Sequence, residues 1–77
     1  MKQKMVDVTL HIDEDTTREQ REGLRDQLLE LDGVMAANYR DNQPHLMIVE
    51  YNPDQIASQR LVETAEQRGY HAELVGM

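Results

Sequence analysis

Val6, Val8, Leu10 and Ile12 alternate with Asp7, Thr9 and His11. That period of two predicts a half-buried strand, ended by Asp13-Glu14-Asp15. The period then changes. Thr16 and Thr17 are each followed three residues later by a capping partner, Glu19 and Gln20, the signature of a helix start. Leu24, Leu28 and Leu31 recur behind them at helical spacing, while Arg18, Arg21, Glu22, Arg25, Asp26 and Glu30 fill the solvent side. Gly33 stops this helix. Val34 to Arg40 reads as a second strand, Asp41-Asn42-Gln43-Pro44 as a turn, and Leu46 to Tyr51 as a third strand apolar enough to be central. Asn52-Pro53-Asp54 is a second turn. Ser58 is expected to cap a second helix whose inner face holds Leu61, Val62 and Ala65, with Gly69 at its end. Tyr70, Ala72 and Leu74 then alternate with His71 and Glu73 in a fourth strand.

The order βαββαβ predicts an α+β sandwich, in which two split crossovers put both helices on one face of a four-stranded antiparallel sheet. At 77 residues the chain is expected to be a single domain, 1–77, with a modest core and little to spare for a lid or a deep cleft. Phe and Trp are absent, so the core must be aliphatic, with the three Tyr as its only aromatic candidates.

Charge and cysteine content narrow the function. A net charge of −7 argues against nucleic acid, whose phosphates need Lys and Arg clusters, and against anionic membrane surfaces. It fits a basic partner surface or simple solubility. Met1 to Met5 carries Lys2 and Lys4 but leads into alternating polarity, so no signal peptide is expected, and no segment here is apolar enough to span a bilayer. A cytoplasmic location is the expectation. No cysteine is present, which excludes disulfides, thiol catalysis and thiolate metal capture.

Three segments carry a family resemblance: Leu31-Asp32-Gly33-Val34, then Val49-Glu50-Tyr51-Asn52-Pro53-Asp54-Gln55-Ile56, then Ala65-Glu66-Gln67-Arg68-Gly69-Tyr70. In this order and spacing the chain resembles the heavy-metal-associated domains of copper chaperones and metal-pump N-terminal regions. The resemblance implies a ferredoxin-like fold. That family's signature is a Gly-Met-x-Cys-x-x-Cys loop between the first strand and first helix. Counting back from Gly33 lays it on Glu14 to Gln20, with the two cysteine positions falling on Thr17 and Gln20. A hydroxyl and an amide cannot replace two soft thiolates as ligands for Cu(I). The family's metal residues therefore carry over to no position here, and the chain reads as a degenerate member.

Strand parity suggests what else the chain could do. His11 and His71 point away from the helices on neighbouring strands, and Glu50 is outward on the other neighbour, expected near the same end. Two imidazoles and a carboxylate could hold Zn²⁺, Ni²⁺ or Cu²⁺. The acidic loop 13–19 offers oxygens to a hard cation, without the ligand alternation or glycine of a calcium loop. His45, beside a turn, is expected only to be solvated. Met5, Leu46 and Ile48 share the outer sheet face, with Val75 at its margin, and such surface marks partner or dimer contacts. The sheet edges, strands two and four, could also pair with another chain. No catalytic constellation or phosphate loop is evident, so no enzyme and no cofactor are expected. The leading reading is a non-enzymatic module working through a protein partner or as a homodimer. The competing reading is a metal ion held by His11, His71 and Glu50 or by the acidic loop.

Overall fold

The structure is a computed structural model that describes residues 4–75. Its elements are β1 (Val6–Ile12), α1 (Arg18–Leu29), β2 (Val34–Arg40), β3 (Gln43–Tyr51), α2 (Ser58–Gln67) and β4 (Ala72–Leu74). The strands form one antiparallel sheet in the order β2-β3-β1-β4. This is the expected ferredoxin-like α+β arrangement, with β2 and β4 at the edges.

The alternation along β1 does what its period predicts. Val8, Leu10 and Ile12 are buried with Met47, Val49 and Tyr51 of β3, and Leu24, Leu28, Leu61 and Ala65 of the helices close over them. This core is aliphatic apart from Tyr51, with Tyr39 and Tyr70 packed at its margin. Asp7, Thr9 and His11 face the other way, opposite Glu50, Ile48 and Leu46 respectively.

The elements depart from the sequence expectation at β2, β3, α2 and β4, which begins only at Ala72. The β2–β3 turn is tighter, because Arg40 pairs with Gln43 and β3 begins there. Pro44 is tolerated inside that strand because it falls in a register shift and beyond the stretch paired with β1. A second shift, between Val34 and Ala36, makes Met35 an extra residue and turns it outward, 53% exposed. At α2 the cap position is Ala57, which offers no side-chain bond, and Ser58 is the first helical residue.

Two of the three family-like segments meet at one corner. Gly33 has φ +99°, and a Cβ there would lie 2.8 Å from Ile56 Cγ2 and 2.9 Å from Gln55 Cβ. Only glycine suits both the backbone and the space. The Asn52 N–H donates to Gly33 O at 2.8 Å, and the buried Asn52 side chain accepts from the Asp54 N–H at 2.9 Å. The segments are thus matched because they build the helix-to-strand corner.

Candidate functional site

The loop from Asp13 to Thr17 feeds the N-terminus of α1. Thr17 is the N-cap, in extended conformation. Its Oγ1 accepts from the Gln20 N–H at 3.1 Å, and Gln20 Oε1 accepts from the Thr17 N–H at 2.8 Å. The capping box expected from the spacing therefore exists, on the pair that aligns with the two cysteines of the resembled family. Each such cap stabilises a helix by about 1 kcal/mol.

The rest of this loop is tied down as well. Arg21, whose side chain is only 11% exposed, donates to Thr16 O at 2.6 Å and lies 5.6 Å above the Tyr39 ring. Glu14 takes both donors of one residue: the His71 N–H at 2.8 Å and His71 Nδ1 at 2.6 Å. That side-chain hydrogen bond raises the His71 pKa and lowers that of Glu14. The Asp13 N–H completes the clasp by donating to His71 O at 2.9 Å. Glu14, Thr16, Thr17 and Gln20 are thus engaged in the protein's own structure, while the carboxylates of Asp13 and Asp15 stay exposed.

Across the sheet the picture differs. His11 stands opposite Glu73 on β4 and opposite Leu46 on β3. One ligand atom from each of His11, Asp13 and Glu73 lies within 4.8 Å of the others. The ring of His45 stacks on His11 at 5.9 Å between centroids and 17° between planes. His45 Nδ1 is 2.8 Å from Ile12 O, so that nitrogen carries the proton and donates. Its Nε2 faces Asp15 Oδ1 at 3.3 Å.

Two placements in the expected metal triad are corrected by this geometry. Glu50 lies opposite Asp7, four positions along β3 from the residue that faces His11. At strand spacing that is about 13 Å away. His71 precedes β4 instead of lying within it, and its imidazole is engaged by Glu14. The grouping that does form, with Asp13 and Glu73 beside His11, was not singled out by sequence reasoning, nor was the role of His45. Further along the same face Ile48 is 42% exposed, and Leu46 and Met5 are half-buried. Val75 is 38% exposed at the margin. Thr9, Asn38, Arg40, Leu46 and Ile48 line an open depression of ≈380 Å³ there. Among the described residues no helix is long and apolar enough to cross a membrane.

No protein-family model matches the chain. No curated protein matches it either. Solved structures do. The N-terminal domain of a potential copper-translocating P-type ATPase from Bacillus subtilis, in its Cu(I)-loaded state, superimposes with TM-score 0.85 at 23% identity, over 95% of this chain and 90% of that one. Oxidised MerP from Ralstonia metallidurans gives 0.85 at 15% identity, over 95% and 100%. A copper-ion-binding protein assigned in Bacillus anthracis gives 0.83 at 17%, over 94% and 100%. The fold is thus the ferredoxin-like fold of heavy-metal-associated domains, carried here by a chain without a single cysteine.

Proposed function

We propose that this chain, read as one domain over 1–77, is a non-enzymatic accessory module of metal handling that works by docking a protein. The observation that carries the reading is the closed start of α1. Where the resembled domains would take up Cu(I), Thr17 and Gln20 bond each other, and Arg21 and His71 hold the loop around them. A metal-related context is supported by the copper-binding fold neighbours. The docking surface in this reading is the outer sheet face at Met5, Leu46 and Ile48, bordered by Val75. Its occupant is a different protein, apolar at the centre of its contact and basic around it. A charge of −7 on each copy works against a second copy as that occupant. Nothing in this role needs nucleic acid, a membrane or a catalytic cofactor, and we assign it to the cytoplasm.

The test is differential capture. Ile48→Glu sits on an exposed strand position and should leave folding intact. A partner retained by the wild type and by Glu22→Lys on the solvent side of α1, but lost with Ile48→Glu, supports the reading. Capture indifferent to Ile48→Glu, or concentration-dependent dimers in sedimentation that Ile48→Glu dissolves, would overturn it in favour of another surface or a homodimer.

A further inference from the structure

We infer that the outer sheet face carries a divalent-cation site built from His11, Asp13 and Glu73, separate from the docking role and on the opposite side of the sheet from the helices. Three features of the chain converge there. His11 and Asp13 are two residues apart at the exit of β1, so they leave the strand on the same side. Glu73 is the direct cross-strand partner of His11. His11 and Glu73 therefore meet through sheet register, and Asp13 is held beside them by its N–H bond to His71 O. Their mutual separation, within 4.8 Å, is somewhat wider than the roughly 3–4 Å between neighbouring ligands on an ion with bonds near ~2.1 Å. Rotamer changes in two exposed carboxylates can close that gap.

The second observation is His11 itself. Its side chain is 36% exposed, but its Nδ1 is shielded from solvent, and the neighbouring Asp13 Oδ1 at 3.2 Å is poorly aligned for a hydrogen bond. A nitrogen so placed gains from a better-aligned partner. A cation shared with Asp13 would align these groups. The His45 ring, fixed by its bond to Ile12 O, backs the His11 ring and limits its rotation. Ligands held this way need less ordering when an ion arrives.

The donor set selects the ion. One imidazole and two carboxylates suit borderline and hard divalent ions such as Zn²⁺, Co²⁺ or Mn²⁺. They do not suit Cu(I), which asks for thiolates or thioethers. The shallow recess beside Asp13 and Glu73 is also lined by Glu66 and by His71, so its carboxylates outnumber its one imidazole. The open side of the triad faces solvent, so water would complete the coordination.

Titration of chelator-stripped full-length protein with Zn²⁺, followed by calorimetry and by histidine side-chain NMR, tests the assignment. We expect one saturable site at micromolar Zn²⁺, with His11 resonances shifting most. His11→Ala and Glu73→Gln should each weaken binding by about tenfold or more. His71→Gln should change it less than about twofold. Urea unfolding of each variant keeps a folding defect apart from a ligand defect. With Co²⁺, weak visible bands without thiolate charge transfer are expected. Absence of saturation below millimolar Zn²⁺, or binding that survives Glu73→Gln and is abolished by His71→Gln, would overturn the assignment. Neither result bears on the docking reading, which Ile48→Glu tests without metal.

Discussion

The start of α1 and the outer face of the sheet are the two parts of this molecule with polar chemistry to offer, and they use it in opposite ways. At the helix start most donors have an acceptor within the same few residues or across one loop, Thr17 with Gln20, Arg21 with Thr16, His71 with Glu14, although Arg21 Nε is buried without one. On the outer face His11 Nδ1 has no aligned partner, and Ile48 and Val75 meet solvent. The first region has a helix N-terminus that needs its amides satisfied, and without thiolates and a metal the protein must do this itself. The second rests on a sheet already stabilised from its other side by the core, so its residues are free of structural duty. Freedom from such duty is what makes a surface available for a ligand or a partner.

The comparison can be broken at its foundation first. Leu10 is fully buried on β1, the strand that leads into the helix-start loop and also carries His11. Leu10→Ala should cost about 2–5 kcal/mol, the usual range for a core leucine that leaves a cavity. Both regions should fail together in urea, by far-UV circular dichroism and by the resonances of Gln20 and Glu73 alike. Separate transitions would mean that the two regions are not parts of one cooperative unit.

A smaller effect distinguishes them. Thr17→Ala should destabilise by about 1 kcal/mol, and adding Gln20→Ala should cost less than a second independent loss, because the two bonds form one reciprocal box. Exchange of the backbone amide at position 20 should quicken in both variants. By contrast, His11→Ala and Glu73→Gln should change metal-free stability by no more than about 0.5 kcal/mol, as for most surface positions. A sharper variant is Thr17→Cys with Gln20→Cys. It removes the same box, so it should start out about as unstable as the alanine pair. Added Cu(I) should then raise its midpoint, since a ligand bound only by the folded state stabilises it. The wild type should not respond. If Cu(I) stabilises the wild type equally, the closure of the helix start does not govern copper binding.

What the sequence made legible follows range along the chain. The capping box is a spacing of three, and the buried side of β1 is a spacing of two, so both could be read from single-residue types. Gly33 as a helix stop and Asn52-Pro53-Asp54 as a turn were visible for the same reason, whereas their meeting at one corner was not. The grouping of His11, Asp13 and Glu73 was not visible, because it depends on which residue faces which across two ladders. Glu50 was expected near His11 although β1 and β3 run antiparallel. The end of β1 therefore meets the beginning of β3, where Leu46 lies, and leaves Glu50 to Asp7. His45 was read as a solvated residue beside the turn. The tighter turn at Asp41-Asn42 starts β3 earlier and brings His45 onto the His11 ring. His71 and Glu73 share parity, and only the short span of β4 decides that Glu73 is the residue in the ladder.

The finest difference between the regions is electrostatic, and pH should expose it. The His71 pKa is raised above its ordinary 6.5, first by the hydrogen bond to Glu14, with the charges of Glu14, Asp13 and Glu66 acting in the same direction. A raised folded value means that the histidine's contribution is complete below about 6.5 and fades as pH climbs through the higher folded value. Glu14 is lowered from its ordinary 4.5 by the same bond. Its contribution is complete above about 4.5 and fades as pH falls through the lower folded value. The clasp between the helix-start loop and β4 should therefore be fullest from about pH 4.5 to 6.5 and loosen on either side. His71 is exposed and Glu14 half-buried, so screening keeps the effect local and the global unfolding midpoint should barely move. Protection of the His71 amide, corrected for intrinsic exchange and measured with chelator present, should peak in that window. Glu14→Gln should flatten the profile, whereas Glu73→Gln should leave its shape intact. A profile unchanged by Glu14→Gln would mean that the backbone bond from Asp13 to His71 O holds this corner alone, and that the helix start is closed by its main chain and its cap without help from the charged pair.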